Sequence, residues 1–279
     1  MKKDRKFKRW FLNKPGRRFS ATAFKVAVAN AQGRRHESEG IPCQDAVVGF
    51  ASGKFASIVL ADGAGSASNS MLGAQIVVNT LTRVLKENFK RIAKSKEEKA
   101  RNKIMNPLIR SLAVAAQRHQ AALKDFACTL LFVASDGKRL LIGQLGDGRI
   151  GIRNSATGEW RPIMEASKGE FFNETVFVTS INAINLLQLA IGPVGSIDAC
   201  VIMSDGAEEG LYQRASHTFA PAISRMSEWV QINECDKVEE AIQSNLSEVV
   251  RQKSMDDLSI GYLMILKALY GHKHHKSKF

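Results

Sequence analysis

Apolar residues follow two rhythms along this chain of 279 residues. Short, nearly unbroken runs at 24–29, 46–50, 55–61, 127–134, 139–145, 149–153, 175–179, 186–191, 199–203 and 258–266 predict strands, several of them rich in Val and Ile. The segment Ala51-Ser52-Gly53-Lys54 joins two of these runs as a hairpin. Turns are marked by Asp136-Gly137, by Gly146-Asp147-Gly148 and by the segment 155–158. Spacings of three and four take over at Val77, Leu81, Val84, Leu85 and Phe89, and again at Ile104, Leu108, Leu112, Ala115, His119 and Leu123. They predict two amphipathic helices, with the charged segment 90–103 between them as a solvated extension or loop. His119 falls on the apolar stripe and reads as a core histidine. Further helical stretches lie at 221–231 and 238–250.

The order is strands, two helices, strands, two helices, strand. Strict βαβ alternation is missing, which argues against a doubly wound parallel sheet. Strands joined by hairpins predict an α+β fold in which antiparallel sheets pack face to face with helices outside. A chain of this length can bury a sizeable core without disulfides or metal. The expected division is one folded domain at 19–270 between a flexible basic arm at 1–18 and a basic tail at 271–279.

Charge changes this picture only locally. The net charge is +13, but residues 1–18 hold nine Lys or Arg against one Asp, and 271–279 hold three Lys and no acid. A third basic stretch, 83–103, holds nine bases against three acids, so the rest of 19–270 is slightly acidic. A basic total made this way argues weakly for nucleic acid, and no helix-turn-helix, zinc finger or aromatic-basic interleaving accompanies it. Cys43, Cys128, Cys200 and Cys235 form no C-x-x-C pair, which speaks against a structural zinc. No apolar run reaches the length of a membrane span and no secretory signal is visible, so a cytoplasmic location is expected.

The chemistry gathers at aspartates that end or begin apolar runs. Asp45 precedes Ala46-Val47-Val48, residues 57–61 end at Asp62-Gly63, residues 140–146 at Asp147-Gly148 and residues 199–204 at Asp205-Gly206. Asp256-Asp257 precedes the last strand. Asp-Gly is a common turn dipeptide and that suffices for Asp136-Gly137. At strand ends that can converge, however, clustered carboxylates need cations, and oxygen-only donors select magnesium or manganese.

Six segments in order, Cys43-Gln44-Asp45-Ala46, Ala61-Asp62-Gly63-Ala64-Gly65, Ala127-Cys128-Thr129-Leu130-Leu131, Gly146-Asp147-Gly148-Arg149, Ser204-Asp205-Gly206 and Asp256-Asp257-Leu258-Ser259, carry a resemblance. The chain resembles the metal-dependent, type-2C protein Ser/Thr phosphatases. That resemblance implies a central β-sandwich flanked by pairs of helices, in α-β-β-α layers. It implies hydrolysis of phosphoserine and phosphothreonine in proteins by a hydroxide held between two divalent cations, Mn2+ or Mg2+. By position, Asp62 would bridge the two cations and the Gly63 carbonyl would bind one of them. Asp205 and Asp256 would hold the first, Asp45 would help fix the second, and Asp147 would serve a weaker third. Asp62 and Asp205 thus stand as the catalytic pair. A phosphoprotein substrate and an opposing Ser/Thr kinase are the implied partners, with acidic surfaces attracted to the basic arm.

Three departures from the animal and plant pattern stand out. Gln44 replaces a Glu, Ala64 replaces the histidine that follows Asp-Gly, and Gly40 replaces the phosphate-binding Arg. Arg34, Arg35 and His36 are the available phosphate contacts. Gly33-x-x-His36, Gly40-x-Pro42-x-Gln44-Asp45 and the later Asn173-Glu174-Thr175 resemble a bacterial branch of the family. The competing reading is a catalytically weak phosphatase-like module that docks partners or nucleic acid through its basic tails.

Overall fold

The computed structural model describes residues 22–164 and 175–267. The expected arm at 1–18, the tail at 271–279 and the Asn173-Glu174 pair lie outside them. Two five-stranded antiparallel sheets form the centre. In the first sheet the order is β1 (Thr22–Ala31), β12 (Leu258–Lys267), β9 (Ile197–Met203), β6 (Arg149–Asn154) and β7 (Trp160–Pro162). The second runs β2 (Ala46–Ser52), β3 (Phe55–Ala61), β4 (Leu130–Ser135), β5 (Arg139–Leu145) and β8 (Gln188–Pro193), and β10 (Tyr212–Gln213) pairs with β11 (Thr218–Phe219) in a separate two-stranded ribbon. The hairpin between β2 and β3 keeps the register the sequence suggests, with Ser52 opposite Phe55 and Ala46 opposite Ala61.

Both faces of the inner strands are covered, which is why their sequences read as continuous apolar runs rather than alternating ones. In β3, Ile58 and Leu60 point between the sheets, while Val59 and Ala61 point to the helices. In β9, Cys200 and Ile202 face the other sheet, and Val201 and Met203 face outward. Helix α2 (Ser70–Ala93) and helix α3 (Glu97–Arg118) cover the second sheet through Val77, Leu81, Leu85, Ile104, Leu108 and Leu112. Helices α6 (Pro221–Ile232) and α7 (Cys235–Glu248) cover the first through Ile223, Met226, Ile242 and Leu246. The four layers are therefore helix, sheet, sheet, helix.

Four sequence expectations need correction. Segment 90–103 is helical except for the short break at 94–96, so its charges sit on the tips of α2 and α3. His119 is exposed, not core: α3 ends at Arg118, Gln120 takes a positive φ of 52°, and the apolar stripe stops with the helix. The run 175–179 forms no strand; the Val178 amide bonds the Cys128 carbonyl at 2.8 Å and its side chain joins the helix-side core. Two short helices, α1 (Arg34–Glu39) and α5 (Asp205–Leu211), occupy segments that read as loops, and a single turn α4 (Ala183–Leu186) precedes β8. All four cysteines are free thiols. Among the described residues no helix is long and apolar enough to cross a membrane.

Candidate metal centre

In an antiparallel sandwich, the C-terminal end of one strand lies beside the N-terminal end of its neighbour. Asp62 follows β3, Asp147 lies in the β5–β6 turn, Asp205 opens α5 just after β9, and Asp45 and Asp256 precede β2 and β12. The topology thus carries all five to one end of the molecule. There Asp62, Asp147 and Asp205 each offer a carboxylate oxygen within 4.8 Å of the others. The surrounding pocket, ≈ 450 Å³ and open to solvent, is lined by these three with Arg35, His36, Gly63, Thr175 and Asp256 among others.

The backbone around the three is pinned by hydrogen bonds. The Asp62 amide donates to Thr129 Oγ1 at 3.0 Å and its carbonyl accepts from the Thr129 amide at 2.8 Å. Asp147 Oδ2 accepts from Thr175 Oγ1 at 2.8 Å, and Asp205 Oδ1 from the Gly206 amide at 2.7 Å. Two glycines allow the loops to close on one another. A Cβ on Gly33 would lie 2.4 Å from the Asp256 carbonyl carbon, and one on Gly206 would lie 2.2 Å from the Asp257 carbonyl oxygen.

Asp45 stands behind the pocket floor, 5% exposed, with neither carboxylate oxygen meeting a hydrogen-bond donor in good geometry among the described residues. Burial, and next the charge of Asp257, push its pKa up to about 7, which the nearby Ser259 and Ser204 hydroxyls only partly offset. Asp62 is held well above the usual carboxylate range by burial, then by the charges of Asp45 and Asp205. Asp205 is pushed to about 6 by burial and then by Asp147. A buried carboxylate that meets no hydrogen-bond donor in good geometry among the described residues, beside three converging carboxylates, is a donor set suited to hard divalent cations.

The phosphate candidates separate. Arg35 lines the pocket with Nη2 at 3.6 Å from Asp256 Oδ1. His36 also lines it. Arg34 does not; its Nε donates to the Ser254 carbonyl at 3.1 Å. Gly63 lines the pocket and pairs with Cys128 in an isolated antiparallel bridge. Sequence reasoning assigned no role to Asp257, Thr129 or Thr175. Asp257 is the second of two adjacent aspartates, and that doubling was the available signal.

An antiparallel α-β-β-α sandwich with a carboxylate-lined cleft at one end defines a class of metal-dependent phosphatases, and comparison with known proteins agrees. The family model described as protein phosphatase 2C matches residues 32–250, and the chain belongs to that family. Serine/threonine-protein phosphatase 3 of Escherichia coli (strain K12) is 24% identical over 249 residues, which is 85% of this chain and 97% of the relative. Among solved structures, the catalytic domain of the serine/threonine protein phosphatase PstP, in complex with 2 manganese ions, is similar at a TM-score of 0.60 and 15% identity. That match covers 88% of this chain and 100% of the other. Serine/threonine phosphatase Stp1 from Staphylococcus aureus is similar at a TM-score of 0.59 and 16% identity, over 92% of this chain and 100% of that one.

Proposed function

We propose that this chain is a metal-dependent protein phosphatase acting on phosphoserine and phosphothreonine. The observation that carries the reading is the meeting of Asp62, Asp147 and Asp205, from three different strand ends, in one open cleft in front of the buried Asp45. These four, with Asp256 and the Gly63 carbonyl, are the groups that would hold two divalent cations, manganese or magnesium, and a weaker third at Asp147. Cations bound there make water a nucleophile near neutral pH and offset the charge on phosphoryl oxygens.

The chain's own side chains do the rest. Arg35, half-exposed at the rim with Nη2 3.6 Å from Asp256 Oδ1, offers a guanidinium to phosphoryl oxygens. His36 presents its ring to the same pocket. Thr175 holds Asp147 in one rotamer by its 2.8 Å bond. The open cleft suits a phosphorylated side chain presented by a protein surface, and an opposing Ser/Thr kinase is the partner this activity calls for. A cytoplasmic site of action and attraction of acidic surfaces to the +8 segment 1–18 complete the reading.

The test is hydrolysis of a phosphothreonine peptide with manganese, with excess EDTA, and by Asp62→Asn. Turnover requiring manganese and falling at least a hundredfold in the variant is expected. Undiminished turnover in EDTA would sink the reading.

A further inference from the structure

One chemical need of the cleft is unmet by the groups described above: Ala64, next to Asp62-Gly63, has no proton to give, and none of the cation-holding carboxylates is free to protonate the leaving oxygen. The structure contains a histidine built for that task elsewhere. His36, on the short helix α1, is 4% exposed, and its Nδ1 lies 2.8 Å from Asp257 Oδ2. Asp257 is itself 3% exposed. Its carboxylate also accepts from the Gly33 amide at 2.7 Å through Oδ1 and from the Gln44 amide at 2.6 Å through Oδ2. A carboxylate already taking two backbone N–H bonds acts as the acceptor, so Nδ1 carries the hydrogen. That leaves Nε2 as the ring atom for the pocket that His36 lines. The same carboxylate ties together the loop before α1, the loop before β2 and the start of β12, so the ring is fixed with respect to Asp45 and Asp256 as well.

A buried histidine whose second nitrogen is held by a buried carboxylate has a set orientation. Arg35 shares the cleft but cannot serve, because a guanidinium does not release its proton. Resting on the phosphatase reading above, we propose that His36 is the catalytic general acid of this protein and that Asp257 is its positioning residue. As water attacks phosphorus, the bond from phosphorus to the seryl or threonyl Oγ breaks and its electron pair stays on Oγ. Oγ takes the proton from His36 Nε2. The attacking water gives its proton to solvent, and the neutral imidazole regains one from solvent, so protons and electrons balance.

General acid catalysis predicts a dependence on the leaving group that a plain phosphate contact does not. An alkoxide leaves poorly without a proton, whereas the phenolate of p-nitrophenyl phosphate leaves unaided. With manganese present, His36→Gln should lose roughly 100-fold or more in kcat on a phosphoserine peptide while keeping most of its kcat on p-nitrophenyl phosphate. Asp257→Asn should show the same split, with a smaller loss on the peptide. Because Asp257→Asn also removes an acceptor for backbone amides and can fail to fold, His36→Gln carries the kinetic test by itself. A second measurement needs no turnover: nitrogen-detected ring spectra of the metal-free protein should show His36 protonated at Nδ1. Equal losses on the two substrates, or unchanged peptide turnover in His36→Gln, would reduce His36 to a binding or structural residue and overturn the proposal. An Nε2-protonated neutral ring would overturn the geometry behind it. Wild-type protein inert on both substrates with manganese would remove the phosphatase reading, and this proposal with it.

Discussion

Asp45 meets no donor in good geometry among the described residues, and it stands beside Asp62 and Asp205, both displaced upward in pKa for the same reason, burial beside like charge. In the unfolded chain these carboxyls ionise near pH 4, roughly. In the metal-free native protein Asp45 and Asp205 do so at about 7 and about 6. Between those limits the native state binds more protons than the unfolded state. The cluster's contribution is therefore fully favourable below the unfolded value and is lost as pH rises through 6 and 7. Metal-free protein should show a melting temperature that falls across this window, and Asp45→Asn should flatten the fall. Divalent cations compete with the same protons, so their affinity should climb over the same range. Calorimetric titration at two pH values checks both halves; a metal-free melting curve independent of pH in Asp45→Asn and wild type alike would contradict the electrostatics. The same titration separates the ligands. If Asp147 serves only the weaker third cation, Asp147→Ala should retain two tight sites while slowing turnover.

At the scale of elements, two of the loops that carry these aspartates are locked by one ion pair. Arg149 opens β6 just after Asp147-Gly148, and Glu208 lies one turn along α5 from Asp205. Glu208 is fully buried, and its Oε1 accepts from Arg149 Nη2 at 2.8 Å and from Arg214 Nε at 3.0 Å. Arg149 also reaches the Met164 carbonyl at 3.2 Å and lies over the Tyr212 ring at 4.7 Å. Removing the arginine leaves a buried carboxylate with only the mostly exposed Arg214 as a cation, so Arg149→Met should cost about 3 kcal/mol in denaturant unfolding. Arg149→Met with Glu208→Gln should recover much of that loss, and additive costs would show that the pair is not coupled. This lock also shows where sequence reading stops. The inner strands were legible because burial on both faces makes their apolar runs continuous, and Asp62, Asp147 and Asp205 were legible because each closes such a run. Helices α1 and α5 are too short for a period to register, and Asp205-Gly206 carries the residues of a turn. The run at 175–179 is apolar because Val176 and Val178 pack on the helix-side core, not because a ladder holds it. Asp257 was not legible as a site residue, since its partners His36, Gly33 and Gln44 lie more than 200 positions away in sequence.

At the scale of the whole molecule, the described residues 22–164 and 175–267 form four complete layers. β1 begins at Thr22 and pairs along its full length with β12, from Thr22 opposite Lys267 to Ala31 opposite Leu258. Its outward residues Ala27, Ala29 and Ala31 are covered by α7 and its neighbours, and Val26 and Val28 pack between the sheets. Among the described residues, the groups that line the cleft lie between Arg35 and Asp256. Residues 1–18 add +8 to a body, 19–270, that is nearly neutral. Their expected work is long-range attraction of acidic surfaces, which salt screens over about 10 Å at 0.1 M. Deleting residues 1–18 should leave the melting temperature and turnover on a short phosphopeptide nearly unchanged. The truncated protein should elute from a polyanion column at clearly lower salt than the full chain. A drop of several degrees in melting temperature, or loss of peptide hydrolysis, would show that Trp10 and Phe11 contribute to the folded body, and that the domain boundary belongs before position 19 rather than at it.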